Sequence, residues 1–475
     1  MPIPTTESLS RAALLFSMLL IFAAPTNAAP PTLRVDYYHT GDANTETFSL
    51  HQVVIEPLPW PGHPEKPLDT LQRGHFLFQV EDPETGVVLN SRGYSSIFQE
   101  WQHTGEAREM TRTFHESVRF PKPDRPVRLR FLKRNAEQTF EDVWSVTIDT
   151  DDMLVVRAHA PAPAPVIDLH VSGDPAHKVD VVVLGDGYTA AEAGKFESDA
   201  RRLVNAFFKY EPFTSRAGDF NFRGIAPPAA ESGVNRPSNG TFRFSPSGTT
   251  YDAFRAERYV LAFDNPGLRR ILQHVPYEFV IILVNSETYG GGGIYGLYST
   301  AAAGNAWVEY LVVHEFGHHF AALADEYYTS DAVYEAQEQR VEPWEPNVTA
   351  LHDPGQLKWG ALVTADTPLP TPWPKEAFES FQRTNQAERA RLRAEQRPET
   401  EMDALFRREQ AFVEELFATY PETNGVIGAF EGANYAASGY YRSEMNCTMF
   451  TRHDRFCRVC RDAIEAVIDL YSDTP

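Results

Sequence analysis

The chain has 475 residues and a net charge of −22, from 65 acidic and 43 basic side chains. That length corresponds to about two to four domains, and a 42% hydrophobic, 23% charged composition argues against global disorder. The acidic balance, with no long basic patch, excludes nucleic acid as a partner, because phosphate binding needs a face rich in Lys and Arg.

At the N-terminus, Arg11 precedes an apolar run from Ala12 to Ala24, and Ala28 closes a small-residue cleavage site. This layout predicts a signal peptide over residues 1–28, too short to span a bilayer comfortably. It implies a secreted or periplasmic protein with no stable membrane insertion after signal cleavage.

Residues 29–160 carry short alternating runs, Leu33 to Tyr38, Phe76 to Val80, Val127 to Leu132 and Trp144 to Ile148. Period-two alternation broken by turn residues predicts a small antiparallel β-sandwich domain. No cluster of catalytic residue types lies in it, so it reads as an accessory or substrate-positioning module. The Pro-Ala alternation of 161–165 marks a stiff, extended joint, and residues 161–176 read as a proline-rich linker.

Beyond the joint the period changes. Val179 to Leu184 is a continuous apolar run that predicts a buried strand, followed by a helical stretch from Ala190 to Tyr210 and a second strand, Phe279 to Val284. Residues 177–475 therefore read as one α/β catalytic domain. Within it, residues 375–420 predict a helical insertion split at Pro398. The run Tyr289 to Gly296 contains Gly291, Gly292 and Gly293, which permit close backbone approach and suggest the edge of a substrate cleft. No Lys-Ser/Thr follows the glycines, which excludes a phosphate-binding P-loop.

The chemistry sits in His314-Glu315-Phe316-Gly317-His318. On a helix His314 and His318 fall at i and i+4, on one face and one turn apart, so both imidazoles can meet one zinc ion. Glu315 stands beside them as a general base for a metal-activated water. A catalytic zinc wants a third protein ligand. Asp325 is the candidate, with Glu326 and Glu431 as rivals. A straight helix would carry Asp325 about 10 Å beyond His318, so the helix must end and turn back, or the ligand lies elsewhere. Met449 is a candidate for an apolar turn beneath the metal. All three cysteines, Cys447, Cys457 and Cys460, lie near the C-terminus. One disulfide from Cys447 to Cys457 or Cys460 suits an oxidising compartment, and a zinc knuckle would take His453 as its fourth ligand.

The strings HEFGHHFAALADEYY, GAFEGANYAASGYYRSEMNCTM and FCRVC, with LGDGYTAAEAGKFESDARRL and YGGGGIYG upstream, resemble peptidase family M64, secreted metallopeptidases named for immunoglobulin A peptidases. Residues 32–157 resemble the β-rich domain that often precedes that catalytic domain. The resemblance implies a metzincin-like α/β (α+β) zinc metallopeptidase domain, with Zn2+ held by His314, His318 and Asp325, Glu315 as catalytic base and Met449 in the Met-turn. It departs from the longer metzincin signature, which would put Gly at 321 and a ligand at 324 where this chain has Ala321 and Ala324. Three functions follow in order: a secreted zinc endopeptidase acting on proteins or peptides, a zinc hydrolase of another amide or ester, and a non-catalytic secreted binding protein with a vestigial site. An intact Glu315 counts against the last.

Overall fold

The computed structural model describes residues 29–330 and 340–473; the expected signal peptide, 1–28, lies outside them. The N-terminal region is β-rich. Strands β1 (Pro31–Gly41), β2 (Glu46–Pro59), β3 (Phe76–Glu81), β4 (Val88–Tyr94), β5 (Arg112–Pro121), β6 (Val127–Arg134), β7 (Phe140–Ile148) and β8 (Val156–Arg157) form two four-stranded sheets, ordered β5-β1-β2-β8 and β4-β3-β6-β7. Alternate side chains, among them Leu33, Val35, Tyr37, Phe78, Phe120, Leu129 and Phe131, point inward from both sheets and make the sandwich core. A short helix, α1 (Ile97–Gln102), crosses between β4 and β5, capped by Ser96, whose hydroxyl accepts from the Gln99 amide.

The joint is shorter than its proline content suggests. Ile167–His170 forms β9, which pairs antiparallel with β11 (Phe220–Ile225), so the stretch read as linker to residue 176 already contains part of the second domain's sheet. Alternation of Ile167 and Leu169 with Asp168 and His170 is what a half-buried edge strand requires. The sheet has six strands, ordered β15-β16-β14-β10-β11-β9, with β10 (Val179–Asp186), β14 (Phe279–Val284), β15 (Gly291–Ile294) and β16 (Tyr298–Ala302) completing it. Its four central strands are parallel and both edges are antiparallel.

Both faces of the sheet are covered, which is why Val181–Leu184 of β10 and all of β14 read as unbroken apolar runs. Val181 and Val183 pack with α2 (Ala193–Phe207), α4 (Val308–Ala321) and α7 (Arg458–Tyr471) on one face. Val182 and Leu184 pack with α3 (Asn265–Leu272) and the small β12–β13 pair (Thr249–Thr250, Leu261–Ala262) on the other. Residues 375–420 are two antiparallel helices, α5 (Lys375–Ala394) and α6 (Glu399–Ala418), with Pro398 at the N-cap of the second. A three-stranded sheet, β17 (Val348–Thr349), β19 (Ala436–Arg442) and β18 (Phe430–Ala433), completes the domain. Among the described residues no helix is long and apolar enough to cross a membrane.

The two domains are bolted together by polar contacts. Arg73 donates to the carbonyls of Ala321 (3.0 Å) and Ala463 (2.9 Å), at the ends of α4 and within α7. The Ser95 amide donates to the Tyr295 carbonyl (2.8 Å), in the turn between β15 and β16. Arg119 donates to the Tyr277 carbonyl and stacks on the Tyr277 ring.

Candidate metal centre

Helix α4 is apolar on nearly all sides and buried in the domain centre, so its few polar residues are conspicuous. It stops at Ala322, whose backbone is left-handed (φ 57°, ψ 35°) and whose amide reaches back to the carbonyls of Gly317 and His318. That conformation costs an alanine about 1 kcal/mol, and it reverses the chain so that residues 323–327 run back beside the helix. Asp325 therefore returns to the two imidazoles instead of lying a helix-length beyond them.

The donor atoms form a near-equilateral triangle. His314 Nε2 lies 3.1 Å from Asp325 Oδ1, His318 Nε2 lies 3.2 Å from the same oxygen, and the two Nε2 atoms are 3.2 Å apart. Each Nδ1 faces a carbonyl oxygen, Thr448 O at 3.0 Å for His314 and Leu323 O at 2.5 Å for His318. A carbonyl only accepts, so each Nδ1 carries a hydrogen, and each Nε2 is the ring atom turned toward the other imidazole and toward a carboxylate. Three donor atoms converging at this spacing can share a cation. Ligands about 2.0–2.1 Å from a tetrahedral zinc stand about 3.3–3.4 Å apart, so the set fits that ion, and the fixed Nδ1 contacts are the outer partners that zinc-binding histidines use. Burial alone would depress the His318 imidazole, but the charge and hydrogen bond of Asp325, with Glu315 adding, push it up to about 9. A proton and a metal ion compete for the same three atoms.

Neither rival joins them. Glu326 points away from Asp325 and meets Cys460 and Asn347. Glu431 pairs with Lys375 at 3.3 Å on β18. The neighbouring His319 has a structural role: it accepts from the Val280 amide (3.1 Å) and bonds the Ile294 carbonyl (3.1 Å), and burial pulls its pKa to about 3.

Glu315 projects from α4 toward β15. Burial raises its carboxyl, opposed by the two histidines and reinforced by Asp325. The glycine run passes so close that side chains would collide. A Cβ on Gly291 would lie 3.1 Å from Glu315 Cγ, one on Gly292 2.5 Å from the Tyr259 ring, and one on Gly293 2.3 Å from the Glu315 carbonyl oxygen. Gly291 already exchanges main-chain bonds with Arg258 and Val260 (both 3.1 Å), so the strand edge is occupied at that residue.

Sequence reasoning missed several residues. Tyr435 donates through its hydroxyl to Asp325 Oδ2. It sits with Asn434 in a two-residue turn joining β18 and β19, both with positive φ (61° and 52°), and their amides bond the carbonyls of Tyr327 and Asp325. Tyr310 reaches His314 Nδ1 and the Thr448 carbonyl, each at 3.3 Å. An Asn-Tyr pair between two short runs is a weak turn signal, and nothing in it encodes a carboxylate partner more than a hundred residues upstream. Met449 lies under α4, its sulfur 3.1 Å from the position a Gly317 Cβ would take, and its carbonyl accepts from the Glu326 amide (2.9 Å).

The triangle of His314, His318 and Asp325 opens into a cavity of about 880 Å³ that also takes in Gly291, Gly292, Gly293 and Glu315. Its walls come from three sources: His75, Ser95 and Arg134 of the sandwich, Arg258 and Tyr435 of the second domain, and Gln382 and Arg389 of the α5–α6 hairpin. The cysteines lie elsewhere and are not bridged. Cys447, Cys457 and Cys460 are buried free thiols, where a disulfide was expected. Main-chain amides point at the sulfurs of Cys447 and Cys457, and the Cys447 and Cys460 sulfurs are 3.8 Å apart, against about 2.05 Å in a disulfide.

Compared with known families, residues 167–468 match the profile described as IgA Peptidase M64, and residues 26–145 match Peptidase M64 N-terminus. No curated protein matches the chain.

Proposed function

The chain belongs to the M64 peptidase family, and from that premise we propose that this peptidase is an exported zinc endopeptidase, with His314, His318 and Asp325 holding the metal and Glu315 as general base. The observation that carries the reading is the convergence of two Nε2 lone pairs and a carboxylate oxygen at 3.1–3.2 Å, with both Nδ1 atoms committed to carbonyls. Zinc bound there supplies Lewis acidity toward a scissile carbonyl and lowers a water's pKa to about 7.

Glu315, half-buried beside the triangle and raised by burial, takes the proton from the attacking water and returns it to the leaving amine. Tyr435 holds Asp325 through the oxygen that does not face the imidazoles, fixing the carboxylate's orientation. Metzincin-like geometry is supported by spacing. The signature's glycine precedes its third ligand by three residues, and left-handed Ala322 precedes Asp325 by three, so the whole turn is displaced by one position along the chain. Met449 beneath Gly317 supports the Met-turn reading. The cavity takes an extended peptide between the sandwich and the catalytic domain. The leader read in residues 1–28 supports export.

The test is zinc content, chelator sensitivity and the Glu315→Ala variant on casein. The expected results are bound zinc, loss of activity with chelator and a folded but inactive variant. Cleavage of small amides but not casein would overturn the endopeptidase reading in favour of another hydrolase. Wild-type proteolysis by Glu315→Ala would overturn the role of Glu315.

A further inference from the structure

Behind the proposed catalytic triangle lies a second convergence of donor atoms. Glu326, Cys447, Cys457 and Cys460 place one carboxylate oxygen and three sulfurs all within 4.8 Å of one another, and all four residues are fully buried. Cys447 Sγ is 3.8 Å from Cys460 Sγ, and Glu326 Oε1 is 3.3 Å from Cys460 Sγ and 3.9 Å from Cys457 Sγ. Tetrahedral zinc with Zn–S of about 2.3 Å and Zn–O of about 2.0 Å sets S···S edges of about 3.8 Å and S···O edges of about 3.5 Å.

The surroundings are those of a metal–thiolate centre. The Cys457 amide points at Cys447 Sγ (3.2 Å), the Cys460 amide at Cys457 Sγ (3.4 Å), and Ser443 donates its hydroxyl to Cys457 Sγ (3.3 Å). Donors aimed at sulfur favour thiolates over thiols, and Cys457 also caps the positive end of α7. Glu326 Oε1 accepts from Asn347 Nδ2 (3.0 Å), while Oε2 is buried with no hydrogen-bond partner. A buried carboxylate left half-unsatisfied beside three sulfurs is a group waiting for a cation. A buried guanidinium nearby, that of Arg442, directs its bonds to the carbonyls of Gly432 (2.7 Å), Met445 (3.2 Å) and Glu431 (3.3 Å).

We propose that Glu326, Cys447, Cys457 and Cys460 form a second, structural zinc site. Binding releases whatever protons the four ligands still hold and leaves no open position for water, which separates it in kind from a catalytic centre. It ties the segment after α4 to the loop after β19 and to the start of α7. Its members also adjoin the first site: Asp325 and Glu326 are consecutive and face opposite ways, and Cys447 and Met449 flank Thr448, whose carbonyl holds His314. The site also accounts for three thiols persisting in an exported protein.

The experiment is metal analysis and thiol titration of the full chain purified without reductant. The expected wild type holds two zinc ions per chain, and its three thiols all react on denaturation once a chelator is present. The double variant His314→Ala/His318→Ala retains one ion, and Cys460→Ser loses one ion and melts at lower temperature. Should Cys460→Ser not fold, the double histidine variant and the wild-type thiol count still decide. A histidine variant with no zinc, or a single reactive thiol in a chain two hydrogens lighter, overturns the second site. A wild type with one zinc, lost in Cys460→Ser and kept in the histidine variant, overturns the first site and leaves the second standing.

Discussion

Gly293→Ala is the sharpest test of how the site is held. The added Cβ would sit 2.3 Å from the Glu315 carbonyl oxygen and 2.9 Å from His318 Cβ, about 1 Å short of van der Waals contact with the oxygen. Neither neighbour is the loose end of a side chain: one is helix backbone and the other the root of a proposed ligand. The strand or the helix must therefore move by about 1 Å. Overpacking of this size costs about 1–3 kcal/mol of stability, and a 1 Å displacement of catalytic groups costs about 100-fold in rate. The assay is kcat/KM on a fluorogenic peptide alongside the melting temperature and zinc content. Gly194→Ala serves as control, because its Cβ in α2 meets nothing within 4 Å, and alanine stabilises a helix by about 1 kcal/mol relative to glycine. A Gly293→Ala enzyme with wild-type kcat/KM and melting temperature would refute the claim that β15 is clamped on the catalytic helix.

Other predictions follow from single contacts. Tyr435→Phe removes the donor to Asp325 Oδ2 and is expected to lower zinc affinity or kcat/KM by about 10–100-fold, read by competition with a chelator and by steady-state kinetics; an unchanged pair of values would show that Asp325 is oriented by other contacts. Arg73→Ala removes two bonds between the domains and is expected to cost about 2 kcal/mol, read as a drop in the urea midpoint. Burial pushes the Asp180 carboxyl up to about 6 against the opposition of Arg223, and burial with the Asp180 charge holds Glu278 well above the usual carboxylate range. The folded chain then holds protons that the unfolded chain releases near pH 4, so the Asp180 contribution is full below about pH 4 and is lost as pH rises through about 6. Asp180→Asn is expected to gain stability relative to wild type across that window, measured by urea unfolding at several pH values; a constant difference would refute the shift.

The sequence made the sheet and the catalytic helix legible because they bury their residues in simple periods. Val181–Leu184 and Phe279–Val284 are apolar throughout, as strands covered on both faces must be. β2 was silent because most of its first seven residues are exposed and only Val53 to Glu56 are buried in succession. At the candidate site, His314, Glu315 and His318 were legible from spacing on one helix. The path to Asp325 was not, since it depends on a left-handed alanine where glycine is the usual marker. Glu326 competed with Asp325 on paper because adjacent residues are equally near in sequence; in an extended segment they face opposite ways. The state of the cysteines was also beyond spacing, because their carboxylate neighbour comes from a segment over a hundred residues upstream.

The bolting of the sandwich to the catalytic domain changes what the cleft is. One wall, from His75 to Arg134, belongs to a module that supplies none of the proposed reacting groups, and the opposite wall includes the α5–α6 hairpin. The width and lining of the channel are thus properties of how separate building blocks are seated, while the proposed reacting atoms belong to a single helix and the turn after it. Grafting a different sandwich onto Arg73's anchor points would retool which chains are admitted and leave the cutting machinery as it stands.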